Sequence, residues 1–289
     1  MTRASNFKGI LMMLVAVGAF ALMDALMKSL AGSYPPMQVS FLRGVTSLPF
    51  LLVPILISGH LTRLRPVNVR LHLLRGVLAV VMLGCFIFAV RESSLTVTYS
   101  VFMIAPLLVA LLAGPMLGEK VMRVQWVALA FGLAGVLLML RPAPGEWASV
   151  GVLAAFVAAI CYAFAATTLR LLSRTDTTEC MAVSFVLLLS IGSGIVASVD
   201  WHPIQPEHWL VLLGLGLTGA LGQLFITEAF RLAPASIIAP FEYTALIWGV
   251  MLDFSVWGLL PEATTLIGGL VIVAAGLYLI ARERRDREL

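Results

Sequence analysis

The fold follows from the stretch Arg231-Leu-Ala-Pro-Ala-Ser-Ile-Ile-Ala-Pro-Phe-Glu-Tyr-Thr-Ala-Leu-Ile-Trp-Gly-Val-Met-Leu-Asp253, an apolar run long enough to cross a bilayer that nevertheless contains two acids. An ionised carboxylate in hydrocarbon costs at least a few kcal/mol, so Glu242 must face protein, water or a ligand. Pro240 cannot donate a backbone hydrogen bond and predicts a bend that frees carbonyl groups to line a cavity. The stretch therefore predicts a membrane span with a functional group inside it.

The composition of the rest of the chain is that of a membrane protein. Hydrophobic residues make up 61% of the 289 residues and charged residues 12%, whereas soluble domains carry about 25% charged residues. The first run is too long for a cleavable signal peptide. Lengths near 20 residues suit tilted helices, and ten such runs are predicted, at about 9–30, 38–57, 73–90, 95–117, 124–140, 150–172, 181–199, 208–230, 236–259 and 266–281.

The basic residues predict the orientation of these spans. With a cytoplasmic N-terminus, fifteen of the 19 Lys and Arg residues fall on the inner side, three on the outer side, and Arg43 inside the second span. This asymmetry follows the positive-inside rule. We expect both termini to be cytoplasmic, and the formal charge of +4 to reflect topology and not nucleic-acid binding.

The sequence also contains an internal repeat. Gly9 to Lys28 parallels Gly151 to Arg170 at an offset of 142, and a Val-Ser-Phe triplet recurs at an offset of 144. These matches predict two five-helix halves, residues 1–145 and 146–289. Because five is odd, the halves must insert with opposite orientations, as in many secondary transporters. The predicted fold class is an all-α integral membrane protein with ten transmembrane helices in two inverted five-helix repeats.

Short motifs stand in a distinctive order along nearly the whole chain: Met23-Asp24-Ala-Leu-Met-Lys28, Phe41-Leu-Arg43, Ala105-Pro106, Leu117-Gly118-Glu119 and Ala239-Pro240-Phe241-Glu242-Tyr243. With these motifs the chain resembles the drug/metabolite transporter superfamily, and specifically its EamA-type ten-helix members. The resemblance implies a small-metabolite transporter of the bacterial inner membrane with a pathway between the halves. One departure is that Glu119 has no clean counterpart in the second half, where Leu259 follows Gly258 and the acid comes at Glu262.

Three ionisable residues near the outer side are candidates for this pathway. Asp24 and Lys28 are four residues apart and share a helix face, so they form either a charged substrate site or a self-neutralised pair. Arg43 lies inside the second span with no acid within a helical turn. Its guanidinium suits a carboxylate or phosphate, and we expect it to meet either an anionic substrate group or Asp24.

The ninth span supplies the other candidates. Glu242 is expected to bind substrate or a coupled proton, with pairing to Arg231 as the alternative. Asp253 lies eleven residues later and can share its face, or can be a solvated rim residue. Glu228 and Arg231 are expected to form a local ion pair. Four aromatic side chains are expected to shape the cavity, although membrane-helix aromatics more often serve packing: Tyr99, Tyr162, Tyr243 and Trp248.

The chain lacks the motifs of several enzyme classes. It has no GxxxxGKS/T phosphate loop, no HExxH and no nucleophile elbow, and His60, His72, His202 and His208 lie in loops or at span ends. The three cysteines lack metal or disulfide spacing. We therefore expect no enzyme, no cofactor and no metal.

These features together predict a secondary active transporter. It would move a small polar or amphipathic metabolite by alternating access, driven by protons or substrate exchange, with export slightly favoured. Uptake of a vitamin or nucleoside-like cofactor, such as riboflavin or S-adenosylmethionine, is the alternative that the resemblance implies. A membrane-embedded lipid-modifying enzyme and a non-transporting membrane subunit are the alternative classes. The expected partners are the small-molecule substrate, protons and the lipid bilayer, and the chain is expected to be a monomer or a homodimer.

Overall fold

The computed structural model describes residues 3–30, 32–93, 95–141, 149–258 and 260–285. It is 85% helical, and the described residues form no strands. The helices are α1 (Arg3–Leu30), α2 (Pro36–Ile57), α3 (Val69–Glu92), α4 (Leu95–Phe102), α5 (Ala105–Leu117), α6 (Arg123–Leu140), α7 (Val150–Leu172), α8 (Thr178–Ala197), α9 (Trp209–Leu232), α10 (Ala235–Ile238), α11 (Thr244–Trp257) and α12 (Ala263–Arg285). The predicted boundary between residues 145 and 146 lies outside the described residues.

Ten helical segments of the described chain are long and apolar enough to cross a membrane, which confirms the predicted all-α membrane fold. Since ten is even, α1 begins and α12 ends at the same end of the bundle. We call this end, with its connections 58–68, 118–122, 173–177 and 233–234, the terminus side. The opposite end, which holds the connections 198–208 and 260–262, is called the far side.

The fourth and ninth spans are both interrupted. Residues 103–104 separate α4 from α5, and Pro106 stands in the first turn of α5, where its missing N–H costs nothing. In the ninth span a 3₁₀ turn, Ala239–Tyr243, replaces regular helix around Pro240. The regular helix is therefore interrupted at Pro240, and the 3₁₀ turn carries Glu242.

Both interrupted spans end in the same way. Gly118 and Gly258 close α5 and α11 in the left-handed backbone conformation, with φ of 68° and 67°, which a residue with a Cβ rarely adopts. The two glycines lie 140 residues apart in the sequence, as the internal repeat predicts. The inverted orientation of the two halves stays a prediction.

The main helix pairs bring the two predicted halves together. α1 packs on α9, α2 on α8, α3 on α7, and α6 on α12. Two contacts are so close that only glycine fits: a Cβ on Gly9 would lie 2.6 Å from that of Ala233, and one on Gly222 would lie 2.7 Å from the Phe20 ring. Helices from both halves consequently surround the middle of the bundle.

Candidate functional site

Asp24 and Arg43 face each other from α1 and α2, on the half of the bundle nearer the far side. They attract each other electrostatically. Of the two partners expected for Arg43, an anionic substrate group or Asp24, the structure therefore shows Asp24. Asp24 is exposed and Arg43 half-buried. The Arg43 guanidinium also lies 5.9 Å from the centre of the Phe20 ring, close enough for a cation–π contact.

A row of aromatic rings leads from this pair deeper into the bundle. Tyr99 of α4 is an electrostatic neighbour of Asp24, and its ring meets Phe86 of α3 edge-on at 5.4 Å. Phe86 in turn contacts Phe102 at 5.2 Å, and Phe102 contacts Tyr162 of α7 at 5.8 Å. Edge-to-face packing at these distances is favourable, so the row forms a continuous apolar wall with a phenol hydroxyl at each end.

Glu242 stands at the inner end of this row. The Tyr162 hydroxyl approaches the Glu242 carboxyl as a hydrogen-bond donor. Among the described residues, the buried Oε1 atom of Glu242 has no hydrogen-bond partner. Buried polar atoms in folded proteins almost always have one, so this oxygen is where a proton, a water molecule or a ligand group would bind.

Arg75 is a buried base at membrane depth that was not among the candidates from the sequence. It lies two turns into α3 because that helix begins at Val69, four residues before the predicted span. The Arg75 side chain interacts electrostatically with Tyr162, donates from Nη1 to the Met181 carbonyl at 3.0 Å, and stacks 4.2 Å above the Phe185 ring. The start of α3 at Val69, which sets the depth of Arg75, is an observation of the structure that no sequence motif marks.

The other predicted site residues lie elsewhere. Lys28 Nζ binds Asp253 Oδ1 at 2.9 Å on the far side, which joins α1 to α11. Trp248 packs on α1, where a Cβ on Gly18 would lie 3.2 Å from the indole. Tyr243 is fully buried in a hydrophobic cluster with residues of α5, α6 and α12. The structure thus brings Asp24, Arg43, Tyr99, Tyr162 and Glu242 into one row. Tyr243 also interacts electrostatically with Glu242, although its ring packs in the hydrophobic cluster.

The alternative partner for Glu242 is already engaged. Arg231 binds Glu228 through two hydrogen bonds, from Nε to Oε2 at 2.7 Å and from Nη2 to Oε1 at 2.5 Å. The local Glu228–Arg231 ion pair is therefore present as predicted. Glu242 faces Tyr162 instead.

A buried ionic network at the terminus side was also missed from sequence. Arg170 Nε of α7 binds Glu119 Oε1 at 2.9 Å, and Arg170 Nη1 donates to the Phe230 carbonyl at 2.7 Å. Glu119 Oε2 accepts a hydrogen bond from the Ala235 N–H at the start of α10, also at 2.9 Å. The network ties the end of the fourth span to the seam between α9 and α10. We call it the Glu119–Arg170 latch.

Comparison with known proteins places this geometry in a family. The sequence profile of the EamA-like transporter family matches residues 7–141 and 149–282. The pseudopaline exporter CntI of Pseudomonas aeruginosa is 26% identical, over 94% of this chain and 95% of that protein. A riboflavin transporter of Vibrio cholerae is 28% identical, over 98% and 97%. An S-adenosylmethionine uptake transporter of Rickettsia prowazekii is 23% identical, over 96% and 94%.

The fold is also similar to that of a solved protein. A crystal structure superposes on this chain with a TM-score of 0.81 and 18% sequence identity, and the match covers 99% of both chains. At this level of identity the similarity concerns the fold alone.

Proposed function

Because the chain belongs to the EamA-like transporter family of the drug/metabolite transporter superfamily, we propose that it is a secondary active transporter that moves a small polar or amphipathic metabolite by alternating access. The proposed membrane is the bacterial inner membrane, with both termini in the cytoplasm. The terminus side is then the cytoplasmic side. The fifteen-to-three distribution of Lys and Arg supports this orientation.

The observation that carries the proposal is the meeting of four ionisable groups from four different spans at membrane depth. Asp24, Arg43, Arg75 and Glu242 lie along one aromatic row, and all but Arg75 are at least partly exposed. Ionisable groups are costly inside a membrane, and those that occur in spanning helices mark substrate and ion pathways. A scaffold helix bundle would be more stable without them.

The side chains indicate the kind of substrate. The Arg43 guanidinium offers a planar pair of donors for a carboxylate or phosphate, whereas Asp24 and Glu242 offer acceptors for an ammonium or hydroxyl group. The aromatic row between them offers apolar contact. This set suits a metabolite that carries polar or charged groups at its ends and an apolar or planar body. Glu242 is the proposed proton carrier if transport is proton-coupled, and substrate exchange is the alternative.

The direction of transport is proposed from the relatives, which include both an exporter and an uptake transporter. Export is the first proposal, and the pseudopaline exporter is consistent with it. Uptake of a planar or nucleoside-like cofactor is the second, because the aromatic row would stack on such a ring and two relatives are named for riboflavin and S-adenosylmethionine.

Alternating access requires contacts that break and form at the two ends of the bundle. In this structure the Glu119–Arg170 latch joins the spans at the terminus side, while the Lys28–Asp253 pair joins α1 to α11 at the far side. The latch is buried and the Lys28–Asp253 pair is exposed. We therefore propose that the far side opens first from this state, because an exposed pair costs little to break.

The test is transport by purified protein in liposomes. A thermal-shift screen of amino acids, vitamins and nucleoside-like cofactors selects a compound, and its flux is then measured for wild type, Glu242→Gln and Arg43→Ala. We expect both variants to lose most of the flux while keeping the elution profile and helix content of wild type. Glu262→Gln, which changes an exposed acid at the far side, is the control. Wild-type flux in both site variants would overturn the proposed site.

A further inference from the structure

Three potential metal ligands meet at the terminus side, away from the aromatic row. His72 lies in the first turn of α3, Asp176 in the connection between α7 and α8, and Cys180 in the first turn of α8. Their exposed fractions are 5%, 6% and 2%. More than 100 residues separate His72 from the other two in the sequence, so no spacing motif could have revealed the cluster.

The distances within the cluster suit a small divalent cation. His72 Nε2 lies 3.0 Å from Asp176 Oδ1 and 4.0 Å from Cys180 Sγ, and one ligand atom from each residue lies within 4.8 Å of the others. Tetrahedral zinc, with bonds of about 2.0–2.3 Å, holds its ligand atoms roughly 3.3–3.8 Å apart. Side-chain movements of about 1 Å would bring the three atoms onto one ion.

The surroundings of the cluster resemble the supporting shell of a metal site. The other histidine nitrogen, Nδ1, lies 2.6 Å from Ser184 Oγ, which can accept its proton and donate its own to the Met181 carbonyl at 3.4 Å. Such an outer hydrogen bond is what orients a metal-binding histidine. The Leu64 carbonyl oxygen lies 3.5 Å from Cys180 Sγ and can supply a fourth ligand.

Asp176 is held in place by three neighbours. The Thr175 hydroxyl, the Val67 N–H and His72 Nε2 all approach its carboxylate oxygens. The Val67 N–H donates to Oδ1 at 2.8 Å and the Thr175 hydroxyl to Oδ2 at 2.6 Å. The carboxylate is therefore fixed beside the other two side chains of the cluster.

We propose that His72, Asp176 and Cys180 bind a Zn²⁺ ion at the terminus side of the bundle. On binding, the imidazole proton moves from Nε2, where it bonds Asp176, to Nδ1, where it bonds Ser184. The thiol of Cys180 loses its proton to solvent and becomes the thiolate ligand. One proton is thus released for each ion bound, and no electron is transferred.

The ion would join parts of the chain that belong to different predicted halves. His72 comes from the first half, whereas Asp176 and Cys180 come from the second. A bound ion would thus add a direct bond between α3 and the start of α8, beside the stacked Arg75. This site goes beyond the proposed transport function, because it can be occupied whether or not the protein transports a metabolite.

The alternative is that the cluster is only a hydrogen-bonded bracket, that is, a set of hydrogen bonds that joins α3 to the start of α8. Titration with Co²⁺ distinguishes this alternative from a metal site. Tag-free protein in detergent, kept reduced, is titrated with Co²⁺ and its visible absorption is recorded. We expect one Co²⁺ per chain, with the ligand-field bands of a tetrahedral site and a sulfur-to-cobalt charge-transfer band, and displacement by Zn²⁺. Ser184→Ala should weaken binding roughly 10- to 100-fold, as loss of an outer-shell partner does.

The cysteines provide a matched control. Cys180→Ser should lose the charge-transfer band and the Zn²⁺-induced rise in melting temperature. Cys161→Ser removes another buried free thiol, which lies in α7 and outside the cluster, and should keep both. If wild type shows no saturable band at one ion per chain, or if Cys180→Ser gives the wild-type spectrum, the cluster is a hydrogen-bonded bracket and the proposal is wrong.

Discussion

The Tyr162 hydroxyl, on α7, faces the Glu242 carboxyl in the interrupted ninth span. α7 belongs to the same predicted half as the ninth span, yet its Tyr162 ring also touches Phe102 of the first half. The interaction therefore lies where the two halves meet around the proposed pathway. It also leaves one oxygen of the carboxyl, Oε1, without a hydrogen-bond partner among the described residues.

Tyr162→Phe removes only the hydroxyl that faces Glu242. A hydrogen bond to a charged or buried group contributes about 1.5–3 kcal/mol, so we expect the initial flux in liposomes to fall roughly 10- to 100-fold. Tyr278→Phe, at a half-exposed position on α12, is the matched control and should transport like wild type. Equal flux in the two variants would show that the Tyr162 hydroxyl plays no part in transport.

The Glu119–Arg170 latch should contribute strongly to stability. The side chains are 12% and 8% exposed, and Glu119→Gln would remove the negative charge that the Arg170 guanidinium contacts at 2.9 Å. Removing one partner of a buried pair costs about 3–5 kcal/mol. We expect the melting temperature of this variant to be clearly lower than that of wild type. Unfolding is measured in detergent by tryptophan fluorescence.

A matched exposed acid controls for the loss of charge in this experiment. Glu262 lies 3.5 Å from Arg141 with 76% of its side chain exposed, so Glu262→Gln should leave the melting temperature within error of wild type. A similar melting temperature for Glu119→Gln would mean that the latch does not hold the terminus side together.

The exposed Lys28–Asp253 pair should contribute little. Its side chains are 55% and 44% exposed, and pairs of this kind are worth about 0–1 kcal/mol. We expect Lys28→Met to lower the melting temperature far less than Glu119→Gln does. A higher salt concentration should reduce the difference in melting temperature between Lys28→Met and wild type, since salt screens exposed charges. A drop as large as that of the latch variant would contradict the proposed order of opening.

The packing of Tyr243 predicts a steric effect in α6. A Cβ on Gly132 would lie 2.4 Å from Tyr243 Cδ2 and 2.7 Å from Cε2. Overpacking of this kind costs about 1–3 kcal/mol, so Gly132→Ala should lower the melting temperature. In Gly249→Ala the new methyl group meets no atom of the described structure within 4 Å, and this helical site should be neutral or slightly stabilised. A melting temperature that is lower for Gly249→Ala than for Gly132→Ala would mean that α6 and the ninth span separate easily.

The ten spans, the interruption of the ninth span at Pro240 and the ionisable groups at membrane depth were all predictable from the sequence. These features depend on local properties, namely the length of apolar runs, the missing N–H of proline and the cost of charge in hydrocarbon, and a linear pattern records them directly. The local Glu228–Arg231 ion pair was also predictable, because residues three apart share a helix face.

Which charged groups meet became clear from the three-dimensional packing alone. Lys28 and Asp24 share a face of α1, yet Lys28 binds Asp253, 225 residues away, and Asp24 faces Arg43. Glu119 had no counterpart in the repeat, and its partner Arg170, at the end of the predicted span 150–172, is 51 residues away in the sequence; the packing of α7 buries both. Partner choice depends on how the helices rotate and cross, and that is set by contacts spread over the whole bundle, such as glycines under Phe20 and Tyr243, which no single stretch of sequence contains.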